Sequence, residues 1–131
     1  MKTDQRYGPQ TEQVVELLLA IRSLTDDERD ALNQSRERES NAAWDASNAL
    51  SGVLRDAPVL VRDAVKVELW KAWNVGLRGE AWEEVRNAVW ALVLRDQIGD
   101  EFTQDHYDLL TTTWRRVVGS IHPDDKEIKE K

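Results

Sequence analysis

Hydrophobic residues recur along this chain at helical spacing, and no stretch shows the strict alternation of a half-buried strand. From Thr11 to Ser23, Val14, Leu17, Leu18 and Ile21 follow the i, i+3, i+4, i+7 rule and make one apolar face. Val15 and Leu19 widen it, which predicts packing on more than one neighbour. Pro9 stands just ahead, where its missing N–H does no harm. Thr25 and Glu28 have the spacing of a capping box and open a second helix, with Asp26 and Asp27 at its positive end.

The stretch Asn33–Ser40 carries no apolar residue, so the second helix either runs on solvated or breaks. Ala42, Ala43, Ala46, Ala49, Leu50 and Val53 then restore a narrow stripe, with Trp44 beside it. Asp56-Ala57-Pro58 reads as a stop and a new start. Val59 to Val75 is apolar around most of its circumference, which predicts a central helix or one with a second face for a partner. Gly76-Leu77-Arg78-Gly79 ends it with a left-handed glycine cap. Glu80 to Ile98 follows, with Ala81, Trp82, Val85, Ala88, Val89, Leu92 and Val93 on one face, and Trp90 and Leu94 off it. A last helix starts at Thr103. Phe102 and Tyr107 are placed for a hydrophobic staple, and Tyr107, Leu110, Trp114, Val117 and Val118 form the core stripe.

The pattern predicts an all-α fold: a single-domain, compact up-and-down bundle of five or six helices over residues 1–123, with Val59–Val75 and Glu80–Ile98 at its centre. Residues 124–131 read as a charged, flexible C-terminal tail.

Composition narrows the possible chemistry. The 131 residues include 18 basic and 25 acidic ones, a net charge of −7, and six Trp against one Phe and two Tyr. With no Cys, disulfides, thiolate zinc sites and thiol nucleophiles are excluded. The start, MKTDQRYGPQ, lacks a signal-peptide pattern, and the longest apolar run, Ala88 to Leu94, is far too short for a membrane span. A cytoplasmic protein without a membrane partner is the expectation. The acidic balance argues against nucleic-acid binding, which needs clustered Lys and Arg. There is no Gly-rich phosphate loop and no G-x-S-x-G elbow, and no cofactor is implied.

The C-terminal third carries Arg95-Asp96-Gln97-Ile98, then His106-Tyr107-Asp108-Leu109-Leu110-Thr111, Trp114, Val117-Val118-Gly119 and Ile121-His122-Pro123-Asp124-Asp125, below Ala-Trp steps at Ala43-Trp44, Ala72-Trp73 and Ala81-Trp82. Over about residues 70–125 this order of boxes resembles a group of small Trp- and Ala-rich helical proteins of actinobacteria and their phages. The resemblance implies that origin and a helical C-terminal module. The group brings no activity with it, so no catalytic residue is carried over.

Four features are candidates for function. His106 lies beside Asp105 and Asp108, and His122 precedes Asp124 and Asp125. If the tail folds back, the two clusters could meet as a weak metal or acid–base site. The plainer reading, which we favour, makes His106 a first-turn residue bonding locally and His-Pro-Asp-Asp a turn. Trp82 and Trp114 read as core, and Trp73 is undecided. Trp44, Trp70 and Trp90, with Leu94, fall off the main stripes and are the partner-interface candidates. Asp96 extrapolates onto the apolar face of its helix and should pair with an Arg from another helix. Asp26-Asp27-Glu28 has the density of a DNA mimic, but Arg36-Glu37-Arg38-Glu39 alternates in sign like an ordinary solvated surface.

The expected function is a non-enzymatic interaction protein that self-associates or docks on a cellular or host protein as a small regulator or inhibitor. The alternatives are a small metal-binding or acid–base enzyme domain using His106 and His122, and the acidic mimic.

Overall fold

The computed structural model describes residues 7–34, 41–74, 76, 79–123 and 125. Among them are six compactly packed helices and no strand: α1 (Thr11–Arg22), α2 (Asp26–Asn33), α3 (Asn41–Leu54), α4 (Val59–Asn74), α5 (Gly79–Val93) and α6 (Gln104–Val117). Short 3-10 turns at Gly8–Gln10 and Arg95–Gln97 precede α1 and follow α5.

The local signals act largely as the residues dictate. The Thr25 hydroxyl accepts from the Glu28 amide at 3.1 Å, and the Glu28 carboxylate accepts from the Thr25 amide at 3.0 Å. Gly76, after α4, has φ +105°, a left-handed value that side chains resist. α2 ends at Asn33, and residues 35–40, including the sign-alternating stretch, lie outside the described residues. Asn33 also caps across the fold, since its Oδ1 accepts the Ala81 amide at the start of α5 at 2.8 Å.

α5 is the hub and packs against all five other helices. Every residue from Asn87 to Leu94 is buried, so two turns of this helix meet protein on all sides. The longest apolar run of the chain is therefore its central rod, as expected of a helix that is hydrophobic all round. This corrects the expectation for two partner-contact candidates. Trp90 is 4% exposed and Leu94 3%, so neither offers a surface. They leave the main stripe because α5 has neighbours on that side too.

α4 is not central, against expectation. Val65, Leu69 and Ala72 face inward, while Val59, Leu60, Val67 and Trp70 stand in solvent. No helix among the described residues is long and apolar enough to cross a membrane.

Candidate functional site

The outer face of α4 holds the largest group of exposed apolar side chains on one element. At 100° per residue, Leu60, Val67 and Trp70 fall within one sector, flanked by Val59 and, at the edge, Trp73. Leu60 is 84% exposed and Trp70 66%. Asp63 and Lys66, also exposed, sit between them. Trp44, the other exposed candidate at 67%, projects from α3. Scattered exposed hydrophobics are ordinary, but a row of this size on one face is not.

The inner edge of this face is anchored by two further Trp residues. Trp73, half in solvent, meets Trp82 edge to face, with ring centroids 5.3 Å apart and planes at 88°. The Trp82 indole N–H donates to the Leu69 carbonyl at 3.3 Å, tying α5 to α4. Trp82, expected in the core, is only half-buried, with the Arg86 guanidinium 5.9 Å over its ring. Trp114 is core, as expected.

The two histidines sit at different ends of α6. His106 stands in its first turn, where its amide donates to the Thr103 hydroxyl and its Nδ1 accepts the Thr103 amide, both at 3.1 Å. That is a capping box with imidazole in the place usually held by Glu or Gln, and it makes Nδ1 an acceptor. The ring stacks on Phe102, centroids 6.3 Å apart. His122 follows the far end of the helix and lines a small cavity against Glu16 and Leu17 of α1, which His106 does not reach. Among the described residues no group of three or more His, Asp or Glu is placed to hold a metal ion.

Asp96 is exposed, and its carboxylate accepts from the neighbouring Gln97 amide group at 3.0 Å. α5 stops at Val93 and the chain tightens into the 3-10 turn Arg95–Gln97, which swings Asp96 off the extrapolated face. The buried carboxylate is Asp125 instead, in the segment expected to fray. Its side chain is 0% exposed. Oδ1 accepts from the Tyr107 hydroxyl at 2.8 Å and lies 3.4 Å from Arg95 Nη1. Oδ2 accepts the Ile121 and His122 amides at 2.8 and 3.0 Å, with Arg115 Nε at 3.8 Å. The other residues of the tail, 124 and 126–131, lie outside the described residues.

Around Asp125 the charges alternate. Arg95 lies 4.3 Å over the Tyr107 ring, and Arg115 Nη1 donates to Asp108 at 2.9 Å and to Thr111 Oγ1 at 3.2 Å. Burial, then the hydrogen bond to Asp125 and its charge, pushes the Tyr107 phenol above its ordinary range, against a smaller downward pull from Arg95 and Arg115. The sequence carried a partial signal for this cluster. Thr111 and Arg115 follow Tyr107 at i+4 and i+8, so both fall on the core stripe of α6 and need polar partners there.

No protein-family model matches the chain, and neither a curated protein nor a solved structure is significantly similar to it.

Proposed function

We propose that this chain is a non-enzymatic interaction module that self-associates through the outer face of α4. The observation that carries this is the row Leu60, Val67 and Trp70, with Val59 beside it, left in solvent on one side of a single helix. Trp is enriched where interface energy concentrates, and truncating such an anchor costs about 2 kcal/mol or more.

A second copy suits this face better than an unrelated partner because its charges complement themselves. With a two-fold axis between Ala64 and Val65, antiparallel α4 helices set Val59 opposite the partner's Trp70. The same register brings Asp63 beside the partner's Lys66, twice over by symmetry. A role as a small regulator fits the resemblance to helical proteins of actinobacteria and their phages, and docking on a host protein is the alternative use of the same row.

Sedimentation equilibrium and light scattering over a wide concentration range test this reading. The expected result is a dimer that Val67→Glu and Trp70→Ser each convert to monomer without loss of helical circular dichroism. A wild-type chain that stays monomeric throughout overturns self-association.

A further inference from the structure

A cavity of about 560 Å³ opens between α1, α2 and α4, away from the outer row of α4. It falls inside the roughly 300–1,000 Å³ typical of small-molecule sites. Leu18, Ile21 and Ala72 give it an apolar wall, and Arg22, Arg29, Lys71 and Glu68 give it charge.

The charges are unequal. Glu68 is the only carboxylate among the described lining residues and faces two cations, Arg22 at 3.5 Å and Lys71 at 3.3 Å. With Arg29 added, positive charge is in excess here, on a chain whose net charge is −7. Arg29 Nε is buried and has no hydrogen-bond partner. It is closed to solvent, so a ligand in the cavity would meet the guanidinium at its terminal Nη groups. The apolar wall and the surplus cations are two separate features of one cavity.

We infer that this cavity binds a small amphiphilic carboxylate. A guanidinium presents its two terminal Nη groups as a fork that matches the two oxygens of a carboxylate. Arg29 takes the carboxylate, Lys71 and Arg22 supply long-range attraction, and the hydrocarbon part lies on Leu18, Ile21 and Ala72. Glu68 sets the strength of that attraction. Its charge tempers the pull of the three cations on any anion, and inorganic phosphate, having no hydrocarbon to bury, gains nothing from the apolar wall. Self-association uses the neighbouring face of α4, and binding in the cavity is read separately from it.

Isothermal titration of the full chain with octanoate, octanol and inorganic phosphate tests the assignment. The expected result is saturable one-to-one binding of octanoate, with octanol weaker by about tenfold or more because it lacks the charge. Inorganic phosphate should bind more weakly than octanoate. Arg29→Met should weaken octanoate by about tenfold or more with an unchanged melting temperature. Glu68→Gln, which keeps the shape and removes the one negative charge, should tighten it. Absence of octanoate binding overturns the proposal, as does equal affinity for octanol, tighter binding of phosphate, or an Arg29→Met variant that binds like the wild type.

Discussion

The Tyr107 hydroxyl donates to Asp125 Oδ1 at 2.8 Å, and this bond fastens the segment that follows α6 back onto the first turns of that helix. Asp125 is the shared acceptor of Tyr107 and two backbone amides and the counter-ion of two arginines, so removing it strands several groups at once. Asp125→Ala should cost about 3–5 kcal/mol, the usual penalty for leaving a buried ion without its partner. Tyr107→Phe deletes one bond to a charged acceptor and should cost less, about 1.5–3 kcal/mol. Urea unfolding of both variants checks the order. An Asp125→Ala chain as stable as the wild type would show that the cluster does not fasten the segment.

The same phenol predicts a response to alkali. Its ionisation is pushed up in the folded state, whereas an unfolded chain ionises tyrosine near pH ~10. Above that pH the unfolded state binds fewer protons than the folded one, so stability falls as pH rises. The contribution of Tyr107 is complete below the unfolded value and is lost above it, at up to about 1.4 kcal/mol per pH unit. Tyr107→Phe should flatten this decline. Parallel stability curves for the two proteins between about pH 8 and pH 11 would contradict it.

At the start of α6, His106 replaces the usual Glu or Gln of a capping box. His106→Ala keeps the Thr103 hydroxyl bond but leaves the Thr103 amide without its acceptor, and should cost about 0.5–1 kcal/mol. His106→Gln, which can restore the reciprocal bond, should lie closer to the wild type. If thermal melts rank the two variants the other way, the imidazole does more than cap.

How much of this was legible depends on the range of the interaction. Thr25 and Glu28 are three residues apart, and the spacing alone was enough to place their box. The local bonding of His106 could be anticipated for the same reason. Asp125 could be read only as part of a turn, because its partner Tyr107 lies 18 residues away and tertiary packing alone brings them together. Extending the α5 pattern past Val93 put the buried carboxylate at Asp96, since periodicity does not register a switch to a 3-10 turn. The apolar breadth of α4 and α5 was plain in both sequences. Which one ran through the middle was not, because a wide apolar circumference fits burial on all sides as well as it fits an open second face.

That distinction gives the sharpest test of the tryptophans. Trp90 is 4% exposed within the central rod, and Trp70 is 66% exposed on the rim. Trp90→Ala should open a cavity among the helices packed on α5 and cost about 3–5 kcal/mol. Trp70→Ala, measured at a concentration where the chain is monomeric, should change stability by no more than about 0.5 kcal/mol. Fluorescence should separate them as well, because an aqueous quencher reaches the Trp70 indole and is shielded from that of Trp90. Removing Trp70 should therefore lower the quenchable fraction of the emission, and removing Trp90 by a milder Trp90→Phe change should raise it. Equal losses of stability from Trp70→Ala and Trp90→Ala would mean that α4 is covered on both sides within one chain, and its outer face would then be unavailable to a second copy.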